Sequence, residues 1–338
     1  MERPQSAPRK APTLRDVARE AGVSVAAASY SLSGGGTIGE EVRARVRQVA
    51  ERIGYRPNRS AQAVRTGRTM SLGLIIPDLN NPYYPAIAQS VERAARQAGY
   101  TVVLIDTSGS PEDEIEAMRH LETHGVAGAV WCQTATQPAG EAGDYQVPIV
   151  VIGSPRPSFD NVTADDDAGG RLAARHLLEL GHRRVGILAG ASVPEGLDHR
   201  RTAFVAEMQG RANIVWDLKT PYSIDLDEAA IARLARREVT AVMCGNDLIA
   251  IGVLRAALQL GIAVPQELSV VGFDDIPWAA IVSPELTTIH QPVAEIAATA
   301  MTLLLDRIAE PDRTVRHFKV GVRLVRRDSA VAAPAGSP

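Results

Sequence analysis

Two groups of side chains have a spacing that metal chemistry could use. His120 and His124 lie four residues apart on a predicted helix, like the histidines of the zinc-protease pattern HExxH, but the glutamate between them is misplaced for that motif. Asp165, Asp166 and Asp167 could attract a cation, yet they precede a predicted helix whose positive N-terminus favours carboxylates. We interpret the histidines as a solvated helix face and the aspartates as helix-start residues, so we predict no metal site.

Catalytic patterns are also missing from the sequence. It contains neither the phosphate-binding pattern GxxxxGK(S/T) nor the nucleophile pattern GxSxG. Cys132 and Cys244 lie far apart at the ends of predicted strands, which is typical of small buried residues in a reducing compartment rather than of a disulfide. We therefore predict no catalytic residues, no cofactor and no enzymatic activity.

The charge of the chain is unevenly distributed. The 338 residues have a formal net charge of -3, but residues 1–68 carry thirteen Lys/Arg against six Asp/Glu, a balance of +7, and the remainder has a balance of -10. A basic N-terminal part on an acidic body indicates an anionic partner, such as nucleic acid, for that part alone.

The composition also bears on localisation. The polar, Pro-rich N-terminus has no apolar segment of the signal-peptide kind, and no run of about 18 apolar residues is available to span a membrane. We expect a cytoplasmic protein, associated with the nucleoid and not with a membrane.

Helical periodicity begins at residue 13. Apolar residues from Leu14 to Ala21 form one stripe, and Thr13 has the spacing to Asp16 of a capping box. A glycine breaks the pattern, and Ser24 is a good N-cap for a second helix through about residue 32. Two short helices joined by such a turn form a helix-turn-helix unit.

A third helix is predicted over residues 40–53 and is ended by Gly54. The segment that follows, residues 58–68, is too short to hold a helix alone in water. Beyond residue 69, apolar runs alternate twice with amphipathic segments in βαβ order, which predicts an α/β fold with two parallel-sheet lobes covered by helices on both faces.

Five collinear segments resemble the lactose-repressor/galactose-repressor family of transcriptional regulators, over roughly residues 13–328. They are TLRDVAREAGVSVAAASYSLSG with VRARVRQVAERIGYRPNRSAQAVRTGRT, SLGLIIPDLNNPYY, DDDAGGRLAARHLLELGHRRVGILAG, CGNDLIAIGVLRAALQLGIAVPQELSVVGFDD and SPELTTIHQP. The resemblance implies an all-α helix-turn-helix head and hinge helix, followed by two doubly wound parallel-sheet lobes like those of type I periplasmic binding proteins. It also implies a repressor whose operator affinity depends on a small molecule.

The resemblance also suggests domain boundaries. They are a disordered tail at 1–12, the head at 13–57, the hinge at 58–68, an N-terminal lobe at 69–163 and 290–320, a C-terminal lobe at 164–289 and 321–329, and a disordered tail at 330–338.

The implied DNA-binding residues lie in the head and the hinge. The helix from Ser24 would enter the major groove, with Val25, Ala26 and Tyr30 at base-contact positions and Ser24 and Ser29 at phosphate-contact positions. The remaining implied contacts are Thr13, Leu14, Thr37, Asn58, Arg59, Ser60, Ala61 and Val64.

The chain departs from the family in this region. The family commonly has polar residues where this sequence has Val25 and Ala26, and the helix contains no Arg, Lys, Asn or Gln for bidentate contacts to purines. We expect few direct contacts to base edges, with a bias towards base steps that contain thymine. In the family, the hinge helix lies in the minor groove and inserts apolar side chains between base steps. Val64 stands at such a position, where the family usually has Leu. Because Val reaches less far, we expect a shallower kink in the DNA or a lower affinity.

The implied effector site lies between the lobes, where the carboxyl ends of the two sheets face each other. Aromatic rings there could stack on a ligand, and polar groups could orient hydroxyls or ring nitrogens. The family positions fall on Tyr83, Tyr84, Arg200, Tyr222, Asn246 and Asp274. Arg200 and Asp274 are expected at strand-to-loop positions. Gly153 and Ser154 replace a charged pair that is frequent in the family, so the effector class cannot be transferred from a relative.

The expected assembly is a homodimer, because each head would bind half of a pseudo-palindromic operator in double-stranded DNA. The expected effector is a sugar or a related metabolite, and its binding would change the angle between the lobes and the position of the hinges. Two alternatives remain at this point: a sugar-binding protein without a regulatory DNA role, and an enzyme with a regulatory head.

Overall fold

The computed structural model describes residues 12–33, 38–56, 69–133, 144–153, 156–191 and 198–334. The chain divides into two compact units, a head up to Thr69 and a core from Met70 onwards. Thr37 and the predicted hinge residues Asn58, Arg59, Ser60, Ala61 and Val64 lie outside the described residues, as does Ser154.

In its described residues the head contains three helices: α1 (Leu14–Ala21), α2 (Val25–Ser33) and α3 (Glu40–Ile53). The predicted capping box is present at Thr13 and Asp16, and Gly22 ends α1 with a φ of 67°, a conformation that glycine adopts without strain. The small side chains of α1 let the helices approach closely. The buried core consists of Val17, Ala18, Ala21, Ala28, Val46, Val49 and Ala50.

The core alternates strands and helices along the chain, as predicted. Its first part contains β1 (Ser71–Ile76), α4 (Tyr83–Gln97), β2 (Thr101–Asp106), α5 (Pro111–Thr123), β3 (Ala129–Cys132), β4 (Ile149–Ile152) and β5 (Asp160–Ala164). Its second part contains α6 (Asp166–Glu179), β6 (Arg184–Gly190), α7 (His199–Met208), β7 (Asn213–Thr220), α8 (Glu228–Ala235), β8 (Ala241–Cys244), α9 (Asp247–Gln259), β9 (Ser269–Asp274), a 3-10 turn (Pro277–Ala280) and β10 (Thr287–His290). The chain ends with α10 (Val293–Ala309), β11 (His317–Val320) and β12 (Arg323–Val325).

The strands of the described residues form two six-stranded sheets, one in each lobe. The first has the order β11-β5-β4-β3-β1-β2, and its pairs are all parallel. The second has the order β12-β10-β9-β8-β6-β7 and is parallel except for β12, which is antiparallel to β10. The prediction of two parallel-sheet lobes is confirmed, with one antiparallel edge strand added.

Helices cover both faces of each sheet, which explains why short strands such as β3, β4 and β8 are apolar at every position and fully buried. Ile296, Met301 and Leu304 of α10 pack in the same core cluster as Leu72 and Leu74 of β1, so α10 belongs to the first lobe. The chain therefore passes between the lobes after β5, after β10 and after β11. Each passage leaves the carboxyl end of a parallel strand, and the cleft lies at this edge of both sheets.

The prediction of a disordered tail from residue 330 is wrong for residues 330–334. Ser329 and Ala330 are buried, the Val331 N–H donates to Ser269 Oγ at 3.1 Å, and the Ala333 N–H donates to the Leu180 carbonyl at 2.8 Å. The alanine-rich composition is typical of disorder, but small side chains also let the backbone lie close to the second lobe and hydrogen-bond to it.

Within the ranges described, no helix combines the length and the apolar character that a membrane-spanning segment needs.

Candidate ligand cleft and DNA-binding surface

A cavity of about 740 Å³ lies in the core between the carboxyl ends of the two sheets. This volume is within the range of small-molecule sites. The structure brings all six predicted effector residues to its wall: Tyr83, Tyr84, Arg200, Tyr222, Asn246 and Asp274.

Arg200 is the centre of the polar wall. Its Nε lies 2.8 Å from Asp166 Oδ1, its Nη1 lies 3.5 Å from Asp274 Oδ1, and Nη1 also donates to the Gly245 carbonyl at 3.0 Å. The guanidinium carbon is 3.8 Å from the ring centroid of the buried Phe273. Burial opposes the charge, but the two carboxylates outweigh it and raise the pKa of Arg200, so the side chain is a fixed cation.

The position of Arg200 differs from the prediction. It lies in the first turn of α7 and not at a strand-to-loop junction. The N-cap of this helix is Asp198, whose side chain accepts from the Arg201 N–H at 3.1 Å. The helix start therefore points Arg200 across the cleft wall towards the end of β9.

Asp274 is the last residue of β9 and does lie at the predicted junction. It has a φ of 115° and the next residue, Asp275, a φ of 60°, both unusual for residues with a side chain. Asp275 is held by His290 Nδ1 at 2.8 Å and Arg327 Nη2 at 2.6 Å. These contacts stabilise the turned backbone that directs Asp274 into the cleft.

The carboxylate of Asp274 has a second partner. The side-chain amide of Gln291 donates to Asp274 Oδ1 at 2.6 Å, and Gln291 Oε1 accepts from the Tyr83 hydroxyl at 3.2 Å. Burial raises the pKa of Asp274 to about 6, although Arg200 and Gln291 lower it. A chain of hydrogen bonds thus joins Tyr83 of the first lobe to Arg200 of the second.

Asn246 is the N-cap of α9 and is almost completely buried. Its Oδ1 accepts from the Ile249 N–H at 3.0 Å, so the amide NH2 is the part of the side chain that a ligand can bind. The next residue, Asp247, accepts from Thr288 Oγ1 at 2.5 Å and from the Ile276 N–H at 2.9 Å. These bonds fix the loop that supports Asn246.

Three tyrosines supply aromatic surface to the described part of the wall. Tyr83 and Tyr84 begin α4, with ring centroids 5.3 Å apart and planes at 80°. Tyr222 lies over Gly190, where an added Cβ would be 1.9 Å from the Tyr222 ring, so only glycine fits there. Burial raises the pKa of all three phenols, which keeps them neutral donors and stacking surfaces.

Sequence reasoning missed several residues of the wall. Asp166 does start a helix, as predicted, but it also binds Arg200. Gln291 is a wall residue that is not among the predicted site residues. Both directly follow the carboxyl end of a parallel strand, or lie within two residues of one, and that position was the signal that could have found them. The other polar wall residues missed were Asp78, Asn80, Asn81, Ser108, Gln133, Asp198 and His199.

The charges of the wall have an acidic excess. Among the described residues, four carboxylates line it, and the cations are Arg200 and, when protonated, His199, whose Nδ1 lies 3.4 Å from Asp167. Because Arg200 is already paired twice, the wall offers hydroxyl and N–H partners to a neutral ligand and little attraction to an anion.

The head presents only part of the predicted DNA surface. Val25 and Tyr30 are 45% and 50% exposed, and Ala26 and Ser24 are exposed beside them. Ser29 is 6% exposed because its face of α2 packs against the other two helices, so the structure does not place it at the surface as the phosphate-contact prediction requires.

The two remaining predicted positions that are described lie at the start of α1. Thr13 is exposed, but its hydroxyl donates to Asp16 Oδ2 at 2.7 Å as part of the capping box. Leu14 is half-buried and packs against the helical core.

The histidines and cysteines that the sequence analysis interprets as structural lie at the following places. His120 lies on α5 and His124 ends it; both are exposed, and His124 Nδ1 is 2.8 Å from the His120 carbonyl oxygen. Cys132 and Cys244 are free, buried, and end β3 and β8 as predicted. In the part of the chain that the structure describes, no three His, Cys, Asp or Glu side chains are grouped as metal ligands.

Comparisons with known proteins assign the two units to known families. Residues 13–58 match the bacterial regulatory proteins of the lacI family, and residues 174–330 match a periplasmic binding protein-like domain. The HTH-type transcriptional repressor PurR of Photorhabdus laumondii is 32% identical over 334 residues, which cover 95% of this chain and 98% of that protein.

Solved structures agree on the fold. The lac repressor dimer bound to operator and the anti-inducer ONPF aligns with a TM-score of 0.85 at 24% identity, covering 96% of this chain and 100% of that one. The complex of the transcriptional regulator CelR with cellobiose aligns with a TM-score of 0.69 at 27% identity, covering 94% and 99%. With its head, its two-lobed core and its relatives in agreement, this chain belongs to the lacI family of bacterial regulatory proteins.

Proposed function

We propose that this protein is a cytoplasmic, dimeric repressor that binds a pseudo-palindromic operator through its head and a sugar or related metabolite through its cleft. One observation carries the proposal. The same chain has a helix-turn-helix head with an exposed second helix and a cleft in which Arg200 is fixed between Asp166 and Asp274. Binding of DNA and of a ligand by one chain is what ligand-controlled repression needs.

The relatives support both halves. PurR of Photorhabdus is a transcriptional repressor, the lac repressor structure contains operator, and the CelR structure contains cellobiose. A periplasmic sugar-binding protein would have no use for the head, so regulation is favoured over that alternative. We further propose that the ligand leaves the cleft chemically unchanged, because the wall residues are bonded to one another in a network suited to recognition.

The proposed domain boundaries follow the strands of each sheet. They are a head at 13–57, a hinge at 58–68, a first lobe at 69–163 and 290–320, and a second lobe at 164–289 and 321–334. The last range includes the tail residues that pack on this lobe.

Operator binding is tested by selecting sequences from a random duplex pool with the full-length protein. We expect a two-fold symmetric consensus and an affinity that falls steeply with salt, because arginines displace counterions from phosphates. A protein that enriches no sequence would refute the proposal.

Ligand binding is tested by a thermal-shift screen of neutral sugars, nucleosides and their phosphorylated forms. A ligand at 100 times its Kd adds about 2.7 kcal/mol to stability. The shift should disappear in Asp274→Asn and remain in Asp312→Asn, a matched change at an exposed carboxylate outside the cleft. The ligand should then change operator affinity by about 5- to 150-fold, the usual range of such coupling.

The dimer proposal rests on an apolar face of the second lobe. Leu258 on α9 is 82% exposed and Ile281, after the 3-10 turn, is 76% exposed. Ile224 and Trp278 are exposed on segments that contact α9, because Asp225 pairs with Arg255 at 2.6 Å and the Ile276 N–H donates to Asp247 Oδ2 at 2.9 Å. Single exposed apolar residues are common, but four on neighbouring elements indicate a covered face.

We expect Leu258→Glu to weaken the dimer at least tenfold, because a carboxylate would be buried against apolar side chains. Sedimentation of the purified protein measures this. Val315→Glu, a matched change at another exposed apolar residue, should leave the dimer unchanged. If both variants sedimented as dimers, the proposal that the face around Leu258 forms the dimer interface would be refuted.

A further inference from the structure

The exposed surface of α2 has an unusual composition for a helix that binds DNA. Its sequence is VAAASYSLS, without a charged or amide side chain. Val25 and Tyr30 are 45% and 50% exposed, and Ala26 is exposed between them. In a helix-turn-helix, the N-terminal residues of the second helix contact base edges, and here those residues are Val25 and Ala26.

The hydroxyl groups of this helix add little to that surface. Ser29 is 6% exposed and Ser31 is fully buried. The oxygen of Ser24 accepts from the Ala27 N–H at 3.1 Å, which holds it at the helix start. Among the α2 side chains that the structure describes, Tyr30 alone places a polar group towards solvent.

Base edges in the major groove offer two kinds of contact. Purine discrimination needs Arg, Lys, Asn or Gln, which donate or accept two hydrogen bonds at once. The only apolar feature of the groove is the methyl group on C5 of a pyrimidine, and aliphatic side chains such as those of Val and Ala complement it. Arginines are plentiful elsewhere in the head, where seven accompany five acidic residues in the described part, and they supply affinity for phosphates without sequence preference.

We infer that Val25 and Ala26 recognise pyrimidine C5-methyl groups, which thymine and 5-methylcytosine have in common. This inference rests on the proposed function, because it requires α2 to enter the major groove of an operator. Sequence preference then depends on where methyl groups lie in each half-site, and methylation of cytosine at a contacted position has the same effect as thymine.

The test uses the full-length protein and the operator obtained from the random duplex pool. Each thymine of a half-site is replaced in turn by deoxyuridine, which removes the methyl group and keeps every hydrogen-bonding atom. At a contacted position we expect about a fourfold loss of affinity, and about fifteenfold when both half-sites are changed, the ratios that correspond to about 0.8 kcal/mol per buried carbon. In a second arm, the contacted thymine is replaced by cytosine or by 5-methylcytosine, and we expect the methylated base to bind several-fold more tightly than the unmethylated one.

Val25→Ala assigns the effect to the side chain. Because Val25 is exposed, its truncation leaves the head folded. In this variant the ratio of the affinities for the thymine and deoxyuridine operators should fall towards one. Val315→Ala, the same change at an exposed valine of the core, should keep the full penalty.

Several outcomes separate this inference from the function on which it rests. Sequence-preferring binding with no deoxyuridine penalty at any position overturns the inference and leaves the repressor function intact. A loss of affinity with deoxyuridine that Val25→Ala does not reduce overturns the assignment of methyl recognition to Val25. The same holds for a half-site in which the main loss of affinity follows replacement of guanine by 7-deazaguanine, which lacks the N7 acceptor. Failure to enrich any sequence refutes the function and the inference together.

Discussion

The surface of α2 and the wall of the ligand cleft differ in how their functional groups are held. Val25 and Tyr30 extend into solvent from a short helix, and the cap that begins this helix is Ser24. Arg200 and Asp274 are largely buried and bonded to each other. A side chain on the head can therefore be changed with a local effect, whereas a change in the cleft leaves another buried group without its partner.

The largest expected effect that sharpens this comparison is that of Arg200→Met. Methionine keeps much of the length of the side chain but leaves Asp166 and Asp274 without their common cation. Removing one partner of a buried ion pair costs about 3–5 kcal/mol, and the lower end applies here because Asp166 is partly exposed. We expect urea unfolding of the core to show a loss of about 3 kcal/mol.

Arg19→Met in the head is the matched control. Arg19 also forms an ion pair, with Asp16 at 2.7 Å, but its side chain is 73% exposed. Exposed pairs contribute about 0–1 kcal/mol, so the head should lose little stability. If Arg200→Met and Arg19→Met lost similar free energies of unfolding, the two regions would not differ in how strongly their side chains depend on one another.

The described helices of the head could be predicted almost completely because their determinants are local. The capping residues of α1 and the interval between Glu40 and Gly54 define helix ends within a few residues of sequence. What the sequence did not define is which side of α2 faces inward. Ser29 was therefore predicted as a phosphate contact, although tertiary packing buries it.

The cleft could be predicted only in part because its partners are distant in the chain. The resemblance supplied Arg200 and Asp274, which are 74 positions apart and meet through the sheet topology. Asp166 was explained by the adjacent helix start alone, and no periodic pattern marks Gln291. The charge balance of the wall depends on these long-range pairs. It could not be predicted from the sequence, because it follows from a fold that brings the carboxyl ends of both sheets together.

A smaller effect that tests the cleft is a pH dependence of stability. Burial raises the pKa of Asp274 to about 6, above its ordinary value of 3.8, against the opposing influence of Arg200 and Gln291. The folded state therefore binds this proton more tightly than the unfolded chain. The stability that the proton adds is complete below about pH 4 and is lost as the pH rises through 6. The free energy of unfolding of the wild type, relative to Asp274→Asn, should fall by about 1–3 kcal/mol between pH 4 and pH 7.

Urea titrations at a series of pH values measure this difference. Asp166 and Asp247 also face Asp274, and both carboxyl groups remain in the two proteins that are compared. Asp312→Asn, at an exposed position, should follow the wild type at every pH. A difference that is flat, or that rises with pH, would show that Asp274 is ionised throughout and that Arg200 outweighs burial.

The smallest expected effect belongs to the head and concerns the capping box of α1. Thr13→Ala removes the hydroxyl that accepts from the Asp16 N–H at 3.4 Å and donates to the Asp16 carboxylate at 2.7 Å. Loss of an N-cap costs about 1 kcal/mol, so calorimetry should place the head transition a few degrees lower while the core transition stays in place. Thr13→Ser keeps the hydroxyl and should restore the wild-type transition. If Thr13→Ala also lowered the core transition, the two units would unfold together, and a change in the head would no longer be local in its effect.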